Sequence, residues 1–152
     1  MIKLKVVSAL LLITFSAVSL KSETYTIDAA KNCVFLNRQQ NNIPEKSIKI
    51  KLDMNARYRV ELSGDCFYTG QTGRDADYMP GAVVFYATNE EDGFRSVYSV
   101  LKPGQVIEFT TPNEDPENIF LIAFVLDYWP ESSNRGAYTL SNKDLIFPGR
   151  EL

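Results

Sequence analysis

The chain has 152 residues, 45% of them hydrophobic, with 16 Lys and Arg against 19 Asp and Glu and no His. The acidic balance deepens once Lys3 and Lys5 are set aside, which argues against nucleic acid and anionic membrane as partners. The lack of His removes the commonest general base, the Ser–His and Cys–His nucleophile pairs, and zinc sites of the Cys/His kind.

Residues 1–22 read as a signal peptide. Lys3 and Lys5 form a basic start, and 6–18 is an apolar core interrupted only by Ser8, Thr14 and Ser16. Small residues at Ala17 and Ser19 place cleavage before Leu20, and Ser22 offers a second position, before Glu23. The apolar core is too short for a membrane span, and no later segment reaches that length. The competing reading is an uncleaved amphipathic anchor. A secreted or periplasmic protein follows, not an integral membrane one, with a domain over 23–147 and a tail over 148–152. About 130 residues suffice for one domain with a sizeable core.

Cys33 and Cys66 are the only cysteines. In an oxidising compartment an even count predicts a disulfide between them. The alternative is two buried free thiols packing as small hydrophobes.

The rest of the chain is patterned as strands. Short candidates fall at 24–27, 33–36 and 66–68. Between 46 and 52, Ile48, Ile50 and Leu52 alternate with lysines, and between 57 and 62 Tyr58, Val60 and Leu62 do the same. That alternation marks half-buried antiparallel strands. Further strands are predicted at 81–87, 94–100 and 106–110. Residues 118–127 form a near-continuous apolar run, read as a strand buried on both faces, and 137–140 resumes the strand pattern.

Turn-rich clusters separate these segments: Gly64-Asp65, 89–93, 102–105 and 112–116. Lys102-Pro-Gly-Gln105 suits a type II turn, with Gly104 at the position of positive φ. No segment holds a helical period over ten residues. Eight or nine short strands at this spacing predict an all-β, antiparallel β-sandwich of the jelly-roll kind.

The loop after the apolar run is the first candidate site. Asp127, Glu131 and Asn134 supply oxygens, and Gly136 permits a tight backbone path. Hard cations such as calcium take six to eight such oxygens, though the spacing is not that of an EF-hand. The plainer reading is a surface loop with Asp127 and Asn134 bonded to nearby backbone and Arg135 as counter-charge. Tyr128 and Trp129 are an adjacent aromatic pair, able to stack on a sugar ring or to plug the end of the sandwich. A second long loop, 69–81, carries Arg74, Asp75 and Asp77. Asp75 and Asp77 with Glu131 would be the carboxylates of a glycosidase, against the default of solvated loop charges.

The order Tyr68-Thr-Gly-Gln, then Gly81-Ala-Val-Val-Phe-Tyr, then a strand ending in Asp127, then Asn134-Arg-Gly-Ala-Tyr-Thr-Leu140 resembles the calcium-dependent galactose-binding lectins of the bacterial PA-IL type. The resemblance spans about 57–140. It implies a galactose-binding-like jelly roll and a calcium site made by the Tyr68 carbonyl, Asp127, the Glu131 main chain and Asn134, with the sugar bound to the ion. Arg135 stands where that family has a second Asn ligand, and the family's His and Gln sugar contacts have no counterpart.

The expectation is a secreted, non-catalytic module that binds a glycan or other cell-surface ligand. Tyr128 and Trp129 would be its platform, and Asp127, Asn134 and Arg135 its polar contacts. It requires no cofactor in this reading, with calcium as the ion the loop would suit. A structural or envelope-associated protein-interaction domain is the alternative, and a glycosidase the third reading.

Overall fold

The computed structural model describes residues 21–36, 43–68, 78–87, 94–113, 119–127 and 134–145. Nine strands are present among them: β1 (Ser22–Asp28), β2 (Cys33–Phe35), β3 (Ile48–Lys51), β4 (Arg57–Phe67), β5 (Ala82–Ala87), β6 (Phe94–Leu101), β7 (Val106–Thr110), β8 (Phe120–Asp127) and β9 (Arg135–Leu145). A single four-residue turn of helix, α1 (Ile43–Lys46), precedes β3. The first strand starts at Ser22, one residue ahead of the expected domain boundary. The cleavage positions before Leu20 and the tail at 148–152 lie outside the described residues.

One sheet has the order β1-β9-β4-β7 and is antiparallel throughout. In the other, β8 is central, with β5 and then β6 on one side. Its opposite edge is shared: β3 runs antiparallel along Phe120–Ala123, and β2 runs parallel along Val125–Asp127. Apart from β2 to β3 and the β5–β6 hairpin, every step along the chain crosses from one sheet to the other. This wrapping is the two-sheet, all-β architecture expected from the strand count, in jelly-roll order.

Alternation places the core as the pattern requires. Val60, Leu62, Ile27 and Leu140 from the first sheet meet Val84, Leu121, Ala123 and Val125 from the second, all fully buried. Tyr86 stacks on Phe109 with ring centroids 5.6 Å apart, which joins the sheets through aromatic area. The central strand β8 is fully buried on its inward face and half-buried on its outward one. Its outward Phe124 packs edge-to-face on Phe85 at 6.0 Å, in a second apolar cluster with Val34 and Ala87. At 102–105 the Gln105 N–H donates to the Lys102 carbonyl at 3.0 Å with Gly104 at φ 81°, the predicted type II geometry.

Two expectations are corrected. Gly64-Asp65 is not a turn; β4 runs unbroken through it, so the two segments at 57–62 and 66–68 belong together. Gly64 has φ 87°, and a Cβ there would lie 2.6 Å from the Ala137 carbonyl oxygen, so glycine serves close approach to β9.

The expected disulfide is absent. Cys33 and Cys66 are both free and wholly buried. Cys66 lies on β4 of one sheet and Cys33 on β2 of the other. Standing on opposite sheets does not bring the two sulfurs within bonding geometry here, and both remain thiols. Each thiol instead fills core space. Cys66 Sγ approaches the Ile27 carbonyl at 4.0 Å, and Cys33 Sγ accepts from Asn134.

Candidate functional site

Ladder register brings several chain ends to one end of the sandwich. Because β2 runs parallel to β8, Phe35 pairs with Asp127, and both strands finish together. Because β4 runs antiparallel to β9, the last residue of β4, Phe67, pairs with the first of β9, Arg135. Asn134 then closes the gap between sheets: its Nδ2 donates to Asp127 Oδ2 at 2.9 Å. Tyr68 joins them from the first sheet, its hydroxyl donating to the Leu126 carbonyl at 3.1 Å. The resemblance grouped Tyr68, Asp127 and Asn134 as ligands of an ion, with Tyr68 acting through its carbonyl; here the Tyr68 contact is made by its hydroxyl.

Asn134 is only 4% exposed, which is unusual for an amide at a loop margin. Its burial is supported because the same Nδ2 also meets Cys33 Sγ at 3.5 Å. Burial, and then the Asp127 charge, push the Cys33 thiol up to about 11. Burial followed by Asp127 and Cys33 also raises the Tyr68 phenol. Both groups therefore stay protonated at neutral pH, and Cys33 is no nucleophile. The Asp127 carboxylate stands at the end of β8 and accepts a hydrogen bond from the buried Asn134 amide.

Alternation turns Asn134 inward and its neighbour Arg135 outward. The Arg135 guanidinium lies over the Phe67 ring, 5.3 Å from its centroid. On the other side Phe67 meets Tyr78, centroid to centroid 4.6 Å, held by the isolated bridge between these two residues. Tyr78 is 65% exposed, against the burial usual for aromatic rings. Arg135 and Tyr78 thus both contact the Phe67 ring on the outward face of the first sheet, at the same end of the sandwich as the Asp127–Asn134 pair. Sequence reasoning singled out neither Phe67 nor Tyr78, although Tyr78 stood in the second long loop beside Pro80.

Tyr128, Trp129 and Glu131 lie outside the described residues, as do Arg74, Asp75 and Asp77. Among the described residues no group of three or more Cys, Asp or Glu side chains is arranged to hold a metal ion. Nor is any helix among them long and apolar enough to cross a membrane. Compared with models of known protein families and with curated proteins, the chain matches none.

Proposed function

We propose that the protein is an exported, non-catalytic carbohydrate-binding module whose site is the end of the sandwich around Asp127 and Asn134. The observation that carries this reading is the contact of Arg135 and exposed Tyr78 with Phe67, at the same end of the sandwich as a fixed carboxylate–amide pair. Sugars present an apolar C–H face and a rim of hydroxyls. An exposed ring takes the first, and a guanidinium and a carboxylate held by the buried amide take the second. Asp127 and Arg135 stand at strand ends and Tyr78 is tied to β4 by its bridge to Phe67, so little freedom is lost on binding. The resemblance to PA-IL-type lectins at Tyr68, Asp127 and Asn134 supports the same end of the fold.

The test is a glycan array with purified protein, run with calcium and with chelator. Saturable binding lost in both Tyr78→Ala and Asp127→Ala variants is expected. Chelator sensitivity would assign calcium a part, with Glu131 completing the ligand set. Turnover of aryl glycosides would overturn the non-catalytic reading. Binding to a protein surface with no glycan retained would favour an envelope-associated interaction domain.

A further inference from the structure

At the opposite end of the sandwich the inward-facing column of β9 changes character. Tyr138 and Leu140 are buried apolar residues, and two positions on, where the core pattern calls for another, stands Asn142. It pairs with Glu23 of β1 and Val60 of β4, and is 5% exposed. Its Oδ1 is buried and accepts no hydrogen bond. An unsatisfied buried acceptor destabilises a fold, and leucine at this position would avoid the cost.

The amide lines a cavity of about 200 Å³ at the mouth between the sheets. That is several times the space of one water and below the usual range for drug-sized ligands, so it suits a side-chain-sized group. Three carboxylates reach it, Glu23, Asp53 and Asp144, against two ammonium groups, Lys21 and Lys51. Lys21 is already committed, its Nζ 2.7 Å from Glu23 Oε1. Glu23 also accepts from the Tyr25 hydroxyl. The Tyr58 oxygen accepts the Asp53 backbone N–H at 2.9 Å, which anchors Asp53 at the rim. The balance is an excess of acceptors and of negative charge, and the lining includes Asn142, whose buried amide oxygen is orphaned.

We infer that this cavity binds a primary alkylammonium group, with Asn142 Oδ1 accepting one N–H and Asp53 and Asp144 supplying the opposing charge. Three N–H donors on one nitrogen would each take an oxygen from Asn142, Asp53 and Asp144, which line the same cavity, and a short methylene chain fits the remaining volume. A single positive charge also neutralises the cavity, which holds one more carboxylate than ammonium. The same chemistry is carried by a free diamine or by a lysine side chain of a peptide. This inference stands independently of the carbohydrate site at the other end.

Titration calorimetry of the purified protein with 1,5-diaminopentane and with Nα-acetyl-lysine amide tests it, using the Nε-acetylated lysine amide as control. Saturable binding of at least one amine, and none of the control, is expected. Binding of the diamine alone assigns a free amine as ligand, and binding of the lysine amide assigns a peptide side chain. Asp144→Asn should weaken affinity tenfold or more. Asn142→Leu should abolish it while raising Tm, a combination that loss of fold would not produce. No saturable binding of either amine, equal binding of the Nε-acetyl control, or unchanged affinity in Asp144→Asn would overturn the inference.

Discussion

Asn134 and Cys33 meet across the end of the sandwich, the amide nitrogen 3.5 Å from the sulfur, while the same nitrogen holds Asp127 at 2.9 Å. One buried amide therefore fixes a surface carboxylate and covers a core thiol. Removing it should be felt on both sides. Asn134→Ala is expected to lower stability by about 1–3 kcal/mol, since a hydrogen bond to a charged group is lost with no replacement. Urea denaturation measures this, and the thiol-labelling rate of native Cys33 should rise in the same variant.

The two thiols give a chemical signature. Native, unreduced protein should react slowly with a thiol reagent at pH 8, and unfolded protein should yield both Cys33 and Cys66. Reductant should leave Tm unchanged. A shift in Tm on reduction would show that the sulfurs are bridged after all.

Alkaline pH should destabilise the fold from about pH 9 upward. Burial raises Cys66 to about 12 and, with Asp127, Cys33 to about 11, from an ordinary value of 9.0. Between those values the unfolded chain has lost the thiol proton and the native one has kept it. The unfolded state then binds fewer protons, so stability falls as pH rises. Tyr25 and Tyr138, raised to about 12 mainly by burial, extend the decline above pH 10. The stabilisation is fully present below pH 9, and Tm measured from pH 7 to 11 should be flat before it drops.

Tyr78→Ala should separate binding from folding. Its ring is 65% exposed, so stability should change by about 0.5 kcal/mol or less, as for most surface substitutions. Glycan binding should fall sharply. Arg135→Ala should weaken binding with a similarly small effect on stability.

Gly136→Ala should be among the costlier single changes. Its φ is 89°, and a Cβ would sit 2.3 Å from the Asp65 carbonyl oxygen, a backbone atom that cannot swing aside. Backbone strain alone accounts for about 1–3 kcal/mol. A melt of the variant reads it directly.

How much of this was legible beforehand differs by kind of information. The faces of β3 and β4 could be read from Ile48, Ile50, Tyr58, Val60 and Leu62, because alternation is a local property. So could β8, from unbroken apolar composition. Gly64 misled because glycine marks a turn and a close backbone approach equally well, and only the β9 register separates them. Pairing of Cys33 with Cys66 followed from count and compartment, which do not say where in the core each sulfur packs. Phe67 and Tyr78 were missed because one sequence does not distinguish an exposed ring from a core one. Asn142 was hidden for a related reason: its inward position follows from strand parity counted from Tyr138.

The pairing of β1 with β9 joins the beginning of the domain to its end, from Ser22 opposite Lys143 to Asp28 opposite Ala137. The first strand to leave the ribosome must wait for the last before its ladder can form. Closure of so long a loop is entropically slow, and β-rich chains dominated by such distant pairings fold in milliseconds to seconds. Throughout synthesis, then, this chain holds an unpaired strand and much of its apolar surface open to chaperones and to aggregation. A carboxy-terminal truncation that removes β9 should therefore leave β1 unpaired and the whole sandwich unable to close.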